Sequence, residues 1–250
     1  MIKQPKIIFH HVPKCGGTAI ITGLAITYYP LRLLRYGREG FSGALNARAA
    51  SYSAEMHNEC QYAFRRKLLS YYAEKGDSPL ICGHYPFNHD FHAAHKDEWT
   101  FVTLLRDPLQ RWYSEYFWNR HKDHEYRKTD LSIEEYLESR NGMMNARSFV
   151  NFFSRSEDMY ETPRSQDVKQ AIETLEQIDV VGCLENIDNF KARMQAKLGR
   201  TPIFFKRNKS PASQEQKKVP DKNSDFHKAL LERLQGDIEI YEKTKERLGL

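Results

Sequence analysis

Apolar residues along this chain come in two rhythms: short unbroken runs, and longer stretches spaced three or four positions apart. Residues 6–12 centre on Ile7, Ile8 and Phe9 and stop at Pro13, which predicts a buried strand. A second short strand is predicted within 78–85, at Leu80, Ile81 and Cys82. Residues 100–105, Thr-Phe-Val-Thr-Leu-Leu, give the clearest buried strand, and 178–184 give a fourth. Helical patterns lie between them. Residues 19–27 read as one. The helix after the third strand opens with Asp107 as N-cap and Pro108 in the first turn, and carries Leu109, Trp112, Tyr116 and Phe117 at helical spacing. Ser132 and Glu135 form a capping box. Residues 167–177 are helical, Asn186 caps a helix that runs to Leu198 and ends at Gly199, and a last helix covers 224–248. Two stretches lack a period: 36–54, read as a surface loop, and the polar 200–221, read as a long loop. Strands alternating with helices predict an α/β fold, with a central parallel sheet flanked by helices and residues 1–250 forming one domain.

Composition narrows this picture. A chain of 250 residues with 40% hydrophobic and 12% aromatic residues buries a core without help from disulfides. The formal charge of +5 suits an anionic ligand but is too small to argue for nucleic acid. Cys15, Cys60, Cys82 and Cys183 are scattered without CxxC spacing, so they are expected to be free thiols in a reducing compartment. The start of the chain lacks a signal-peptide apolar region, and the most apolar stretch, 19–34, is interrupted by Tyr28, Tyr29, Pro30 and Arg32. The expectation is a soluble, cytoplasmic protein without a membrane segment.

The strongest chemical signal follows the first strand. Pro13, Lys14, Cys15, Gly16, Gly17 and Thr18 make a turn that opens a helix. Glycines there let backbone approach a ligand, and free N–H groups with the helix dipole favour a phosphate. Lys14 adds a charge and Thr18 a hydroxyl. The lysine precedes the glycines, so this is not a Walker A loop. A phosphatase loop would need an arginine six residues after Cys15, where Ile21 stands.

The second signal is Arg106, at the carboxyl end of the third strand, with Ser114 on the helix that follows. Open α/β sheets bind ligands at that edge, and a guanidinium fork suits a phosphate. The plainer reading pairs Arg106 with Asp107 and leaves Arg111 in a surface salt bridge. His84, His89, His92 and His95 offer a zinc reading, but no His-Glu-x-x-His pair or nearby cysteine accompanies them, and Pro86 and Asn88 suggest a loop. Arg32, Arg35 and Arg38, and Arg65, Arg66 and Lys67, read as solvated basic faces. Trp112, Tyr116, Phe117, Phe149, Phe152 and Phe153 read as core.

Taken together, the 13–18 turn and the Arg106-Asp107-Pro108 strand–helix, with Ser114 eight residues after the arginine, resemble the sulfotransferase superfamily that uses 3′-phosphoadenosine 5′-phosphosulfate (PAPS). Gly83-His84-Tyr85-Pro86-Phe87 is similar to a segment of the heparan sulfate 2-O-sulfotransferase and uronyl sulfotransferase branch. The resemblance implies a P-loop-NTPase-like sulfotransferase fold. It implies that the 13–18 loop holds the 5′-phosphosulfate, that Arg106 and Ser114 hold the 3′-phosphate, and that Lys14 and His84 are catalytic, His84 as general base. Phe205 to Ser210 resembles a nucleotide-covering loop, which would add Arg207, Asn208, Lys209 and Ser210 to the cofactor contacts. The implied product is adenosine 3′,5′-bisphosphate (PAP), and the implied acceptor a hydroxyl on a glycan or glycoconjugate.

In such a transfer, catalysis is positioning and charge stabilisation around a loose in-line transition state. A histidine supplies a base near neutral pH. A sulfuryl group carries less charge than a phosphoryl group, so no metal is expected. Two other readings use the same loop: a nucleotide-dependent kinase or phosphotransferase, and a non-catalytic glycan-binding module that retains the nucleotide pocket.

Overall fold

The computed structural model describes residues 4–37, 41, 45–204 and 219–250. Four strands, β1 (Ile7–His10), β2 (Leu80–Gly83), β3 (Thr100–Leu105) and β4 (Val180–Cys183), form a sheet in the order β2-β1-β3-β4. Every neighbouring pair is parallel. Ile7 stands opposite Leu80 on one side and Thr100 on the other, and Leu105 stands opposite Cys183. The expected α/β architecture is therefore present, and all four strands point their carboxyl ends at one edge.

The period-two alternation of the strands divides the core into two layers. Ile7, Phe9, Leu80, Cys82, Val102, Leu104 and Val180 pack against α1 (Gly17–Tyr28) and α11 (Ile187–Leu198). Ile8, Ile81, Phe101, Leu105 and Val181 face the other way. There they meet α4 (Gln61–Lys75), α5 (His89–His95), α9 (Ser148–Phe153), α10 (Ser165–Gln177) and α12 (Asp225–Leu248). Burial on both faces is why these strands read as continuous apolar runs. A third cluster joins α6 (Pro108–His121), α7 (Ile133–Glu138) and α8 (Arg140–Ala146) to α12 through Trp112, Tyr116, Phe117, Tyr136 and Leu230. The aromatics expected to be core are buried.

The expected caps form. Asp107 Oδ1 accepts the Gln110 N–H at 2.8 Å, Ser132 and Glu135 close their capping box, and Gly199 ends α11 with a positive φ. Among the described residues no helix is long and apolar enough to cross a membrane.

Three expectations need correction. The stretch read as a loop over 36–54 contains the start of α3 (Ala47–Met56), because the Asn46 side chain accepts the Ala49 N–H at 3.0 Å and caps it. The histidine segment also holds a helix, α5, since Asn88 caps Phe91 N–H at 3.1 Å where a loop was expected. Arg65 is not on a solvated face. It is buried and donates to Ser51 Oγ, Gln61 Oε1 and the Ala47 carbonyl. Arg66 is turned inward as well, onto the Phe87 and Ser154 carbonyls.

Candidate functional site

Sheet order decides where a ligand can sit. The chain leaves β1 for β2 on one side and then crosses to β3 on the other. The carboxyl ends of β1 and β3 are therefore the switch point, where the two connections part and leave a crevice. The 13–18 turn follows β1, Arg106 follows β3 and His84 follows β2. Three of the sequence-predicted elements thus meet at one edge.

The turn is built for close backbone approach. Lys14 has φ of +65° and Gly16 has φ of +77°, with Cys15 between them at negative φ. Such alternation is of the anion-nest kind, with the Cys15 N–H returned to the Val12 carbonyl at 3.4 Å. Gly16 is the N-cap of α1 and supplies no side-chain cap; of the first-turn amides, that of Ala19 donates to the Gly16 carbonyl at 3.1 Å, which leaves those of Gly17 and Thr18 open. Gly17 is required by contact: a Cβ there would lie 1.8 Å from His11 Nε2. The Cys15 thiol is buried against the Pro13 carbonyl and burial pushes it up to about 12, so it is a packing group and not a nucleophile. Thr18 is exposed.

Arg106 reaches across the crevice. Its Nη1 donates to the Lys14 carbonyl at 3.2 Å, while its Nε is buried without a partner. It forms no ion pair with Asp107, whose carboxylate caps α6 instead. On the other flank, His84 Nδ1 lies 2.8 Å from the His11 carbonyl. A carbonyl only accepts, so Nδ1 carries the proton and Nε2 keeps a lone pair. Burial lowers His84 to about 4, which leaves it neutral at pH 7. The His11 ring lies 4.5 Å from that of His84, centroid to centroid.

Lys14 stretches over the face of Trp118, its Nζ 4.1 Å from the ring centroid. Burial lowers it to about 8, with Glu115 opposing that shift. Ser114 stands on α6 four residues before Trp118, hence on the same helix face. Glu185, at the end of β4, accepts the Asp107 N–H at 3.1 Å and the Tyr241 hydroxyl at 2.8 Å, so α12 braces the turn that presents Arg106. Arg207, Asn208, Lys209 and Ser210 lie outside the described residues.

Sequence reasoning missed Glu115 and Trp118. Glu115 is buried and paired to Arg111 at 3.2 Å, and Arg111, read as a surface group, is itself fully buried. The one available signal was the i, i+4 spacing of Arg111 and Glu115 on a helix rich in aromatics. Elsewhere, His89 bonds Thr174 and His92 packs edge-on against Phe101. Among the described residues no group of His, Cys, Asp and Glu is placed to hold a metal ion. Comparison of the sequence with models of known protein families and with curated proteins gives no match.

Proposed function

We propose that this chain is a sulfotransferase that moves a sulfuryl group from PAPS to a hydroxyl of a carbohydrate acceptor. The observation that carries the reading is the Arg106–Lys14 bridge. The Arg106 side chain, from the turn after β3, is tied to the Lys14 carbonyl in the turn before a helix start without a side-chain cap, and its Nε is buried and unpaired. A terminal phosphate would supply the missing acceptor, and the resemblance of both segments to the PAPS-dependent enzymes names the donor.

In this reading the loop amides and Lys14 hold the 5′-phosphosulfate, and Arg106 with Ser114 holds the 3′-phosphate. His84 Nε2 takes the proton of the acceptor hydroxyl as its oxygen bonds sulfur. The sulfur–oxygen bond to the 5′-phosphate breaks, and PAP leaves with the electron pair, its new charge met by Lys14. The fold would be of the P-loop-like sulfotransferase kind. The free thiols of all four cysteines favour a reducing, cytoplasmic setting.

The test is calorimetric titration of PAP, adenosine 5′-monophosphate and magnesium-ATP against the wild type and Arg106→Ala. PAP should bind tightest. Truncating Arg106 should weaken PAP by about 2–5 kcal/mol, the usual loss for one partner of a desolvated charge pair, and weaken the monophosphate far less. Equal losses, or a preference for magnesium-ATP, would overturn the assignment.

A further inference from the structure

We propose that His10 is a positioning residue of this site: with His84 it closes a reciprocal clasp between the ends of β1 and β2, and the clasp holds the His84 ring with Nε2 as its bare nitrogen. The bearing of His10 on catalysis rests on the transfer reading above; the clasp itself does not.

The clasp begins where the two strands end. β1 and β2 are parallel, with His10 opposite Gly83, and one more rung runs from the His11 N–H to the Gly83 carbonyl at 2.9 Å. Continuing that ladder would put the Tyr85 N–H on the His11 carbonyl, and then the N–H of residue 13 on the Tyr85 carbonyl. Residue 13 is a proline and has no N–H to give. Histidine side chains reach both carbonyls. His84 Nδ1 lies 2.8 Å from the His11 oxygen, and His10 Nδ1 lies 3.0 Å from the Tyr85 oxygen. Each acceptor is the chain neighbour of the other histidine, so the two bonds cross-brace one pair of segments. A carbonyl only accepts, so both rings carry their proton on Nδ1.

His10 is locked into this role from every side. It is fully buried, and its Nε2 has no hydrogen-bond partner. Its ring lies 5.4 Å from that of Phe87 and 6.1 Å from that of Phe101, centroid to centroid. Moving the proton to Nε2 would break the bond to Tyr85 and bury an N–H without an acceptor. From β3, Thr103 Oγ1 donates to the His10 carbonyl at 2.8 Å and ties the residue to the middle of the sheet. Burial lowers His10 to about 4, as it does His84, so both rings are neutral at pH 7. Ile7, Ile8 and Phe9 precede His10, and a fourth apolar side chain would continue their run. A histidine there exchanges apolar burial for one directed bond.

The dependence of His84 on His10 follows from the residues on either side of it. Gly83, before it, has φ of +150°, and glycine brings a backbone with more freedom than any other residue. Tyr85, after it, is gripped by His10. That grip fixes the peptide from which the His84 ring hangs, and with it the approach of Nδ1 to the His11 carbonyl. A flipped ring, or one protonated on Nε2, would present a proton where the reaction needs a lone pair.

The experiment reads the rings directly. Long-range proton–nitrogen NMR spectra of the full chain, with isotope-labelled histidine, report the tautomer of each imidazole. In the wild type at pH 7, His10 and His84 should both be neutral Nδ1–H rings, and an Nε2–H form of either would overturn the clasp. His10→Leu keeps apolar bulk and removes the donor, so His84 should then populate both tautomers. His10→Asn, whose side-chain amide can donate to the same carbonyl, should restore the wild-type signature. An unchanged His84 spectrum in a folded His10→Leu protein would overturn the inference. If that variant does not fold, His10→Phe, which keeps a flat ring without the donor, is read in the same way. In the transfer assay His10→Leu should lower kcat roughly tenfold, a fraction of what a general base is worth, and His10→Asn should regain it. PAP titration on the same proteins separates the two claims. An altered His84 signature in a chain that binds no PAP keeps the clasp and discards the transferase.

Discussion

Helices α1 and α6 start at the same edge of the same sheet, each directly after a neighbouring strand, and they treat their first turns in opposite ways. α6 is closed. Asp107 caps it with its own carboxylate, Pro108 removes one free N–H, and the Asp107 N–H is taken by Glu185. α1 is open. A glycine occupies its cap, no acidic residue stands in its first turn, and its approach runs through a lysine with positive φ. A helix start that satisfies its own amides has nothing left for a ligand. The open one forgoes a few tenths of a kcal/mol of capping, since glycine is itself a tolerated cap, and accepts backbone strain at Lys14. The comparison teaches a division of labour: the closed start fixes Arg106 in place, and the open start is where an anion can be received.

Three substitutions can break or sharpen that contrast. The largest expected effect is from Lys14→Ala, which removes the charge at the open start. Turnover should fall on the order of 10²–10³-fold while the thermal transition stays in place, since the side chain rests on Trp118 and not in the core. A folded Lys14→Ala protein with wild-type kcat would take the open turn out of the reaction. Next comes Gly17→Ala. Its methyl would meet His11 Nε2 at 1.8 Å, so the imidazole must leave its place against His84. Destabilisation of about 1–3 kcal/mol is expected from such overpacking, read from urea midpoints, together with weaker PAP binding. Wild-type stability would mean that His11 yields freely and does not shape the turn. The smallest effect belongs to the closed start. Asp107→Ala should lower stability by about 1 kcal/mol, the usual worth of a cap, with PAP affinity nearly unchanged. A PAP loss as large as that of Arg106→Ala would erase the distinction between the two helices.

Much of this edge is legible in the amino-acid sequence. The third strand is an apolar run with a cap and a proline behind it, and the structure places β3 at 100–105 as expected. The 13–18 turn announced itself by its glycines. Strand order was not legible, because nothing local says that β1 lies between β2 and β3. Arg65 looked solvated because two of its three acceptors, Ala47 and Ser51, belong to α3, the neighbouring helix, which was read as a loop up to residue 54. Asn88 was read as a loop signal when it is a helix cap, a misreading of turn chemistry that local sequence could have corrected.

Helix α12 makes the site depend on a distant part of the chain. Its Tyr241 hydroxyl holds Glu185, which holds the Asp107 N–H, and its buried Asp237 accepts the Phe149 and Val150 N–H groups at the start of α9. These contacts join residues far apart along the chain, so each closes a long loop at an entropic cost. The support of Arg106 is complete only when α12 is docked. A ligand gripped by Arg106 would select molecules in which that distant helix is seated. Its binding would slow amide exchange along α12 as well as at the crevice, because the helix that comes last in the chain holds the turn the ligand grips.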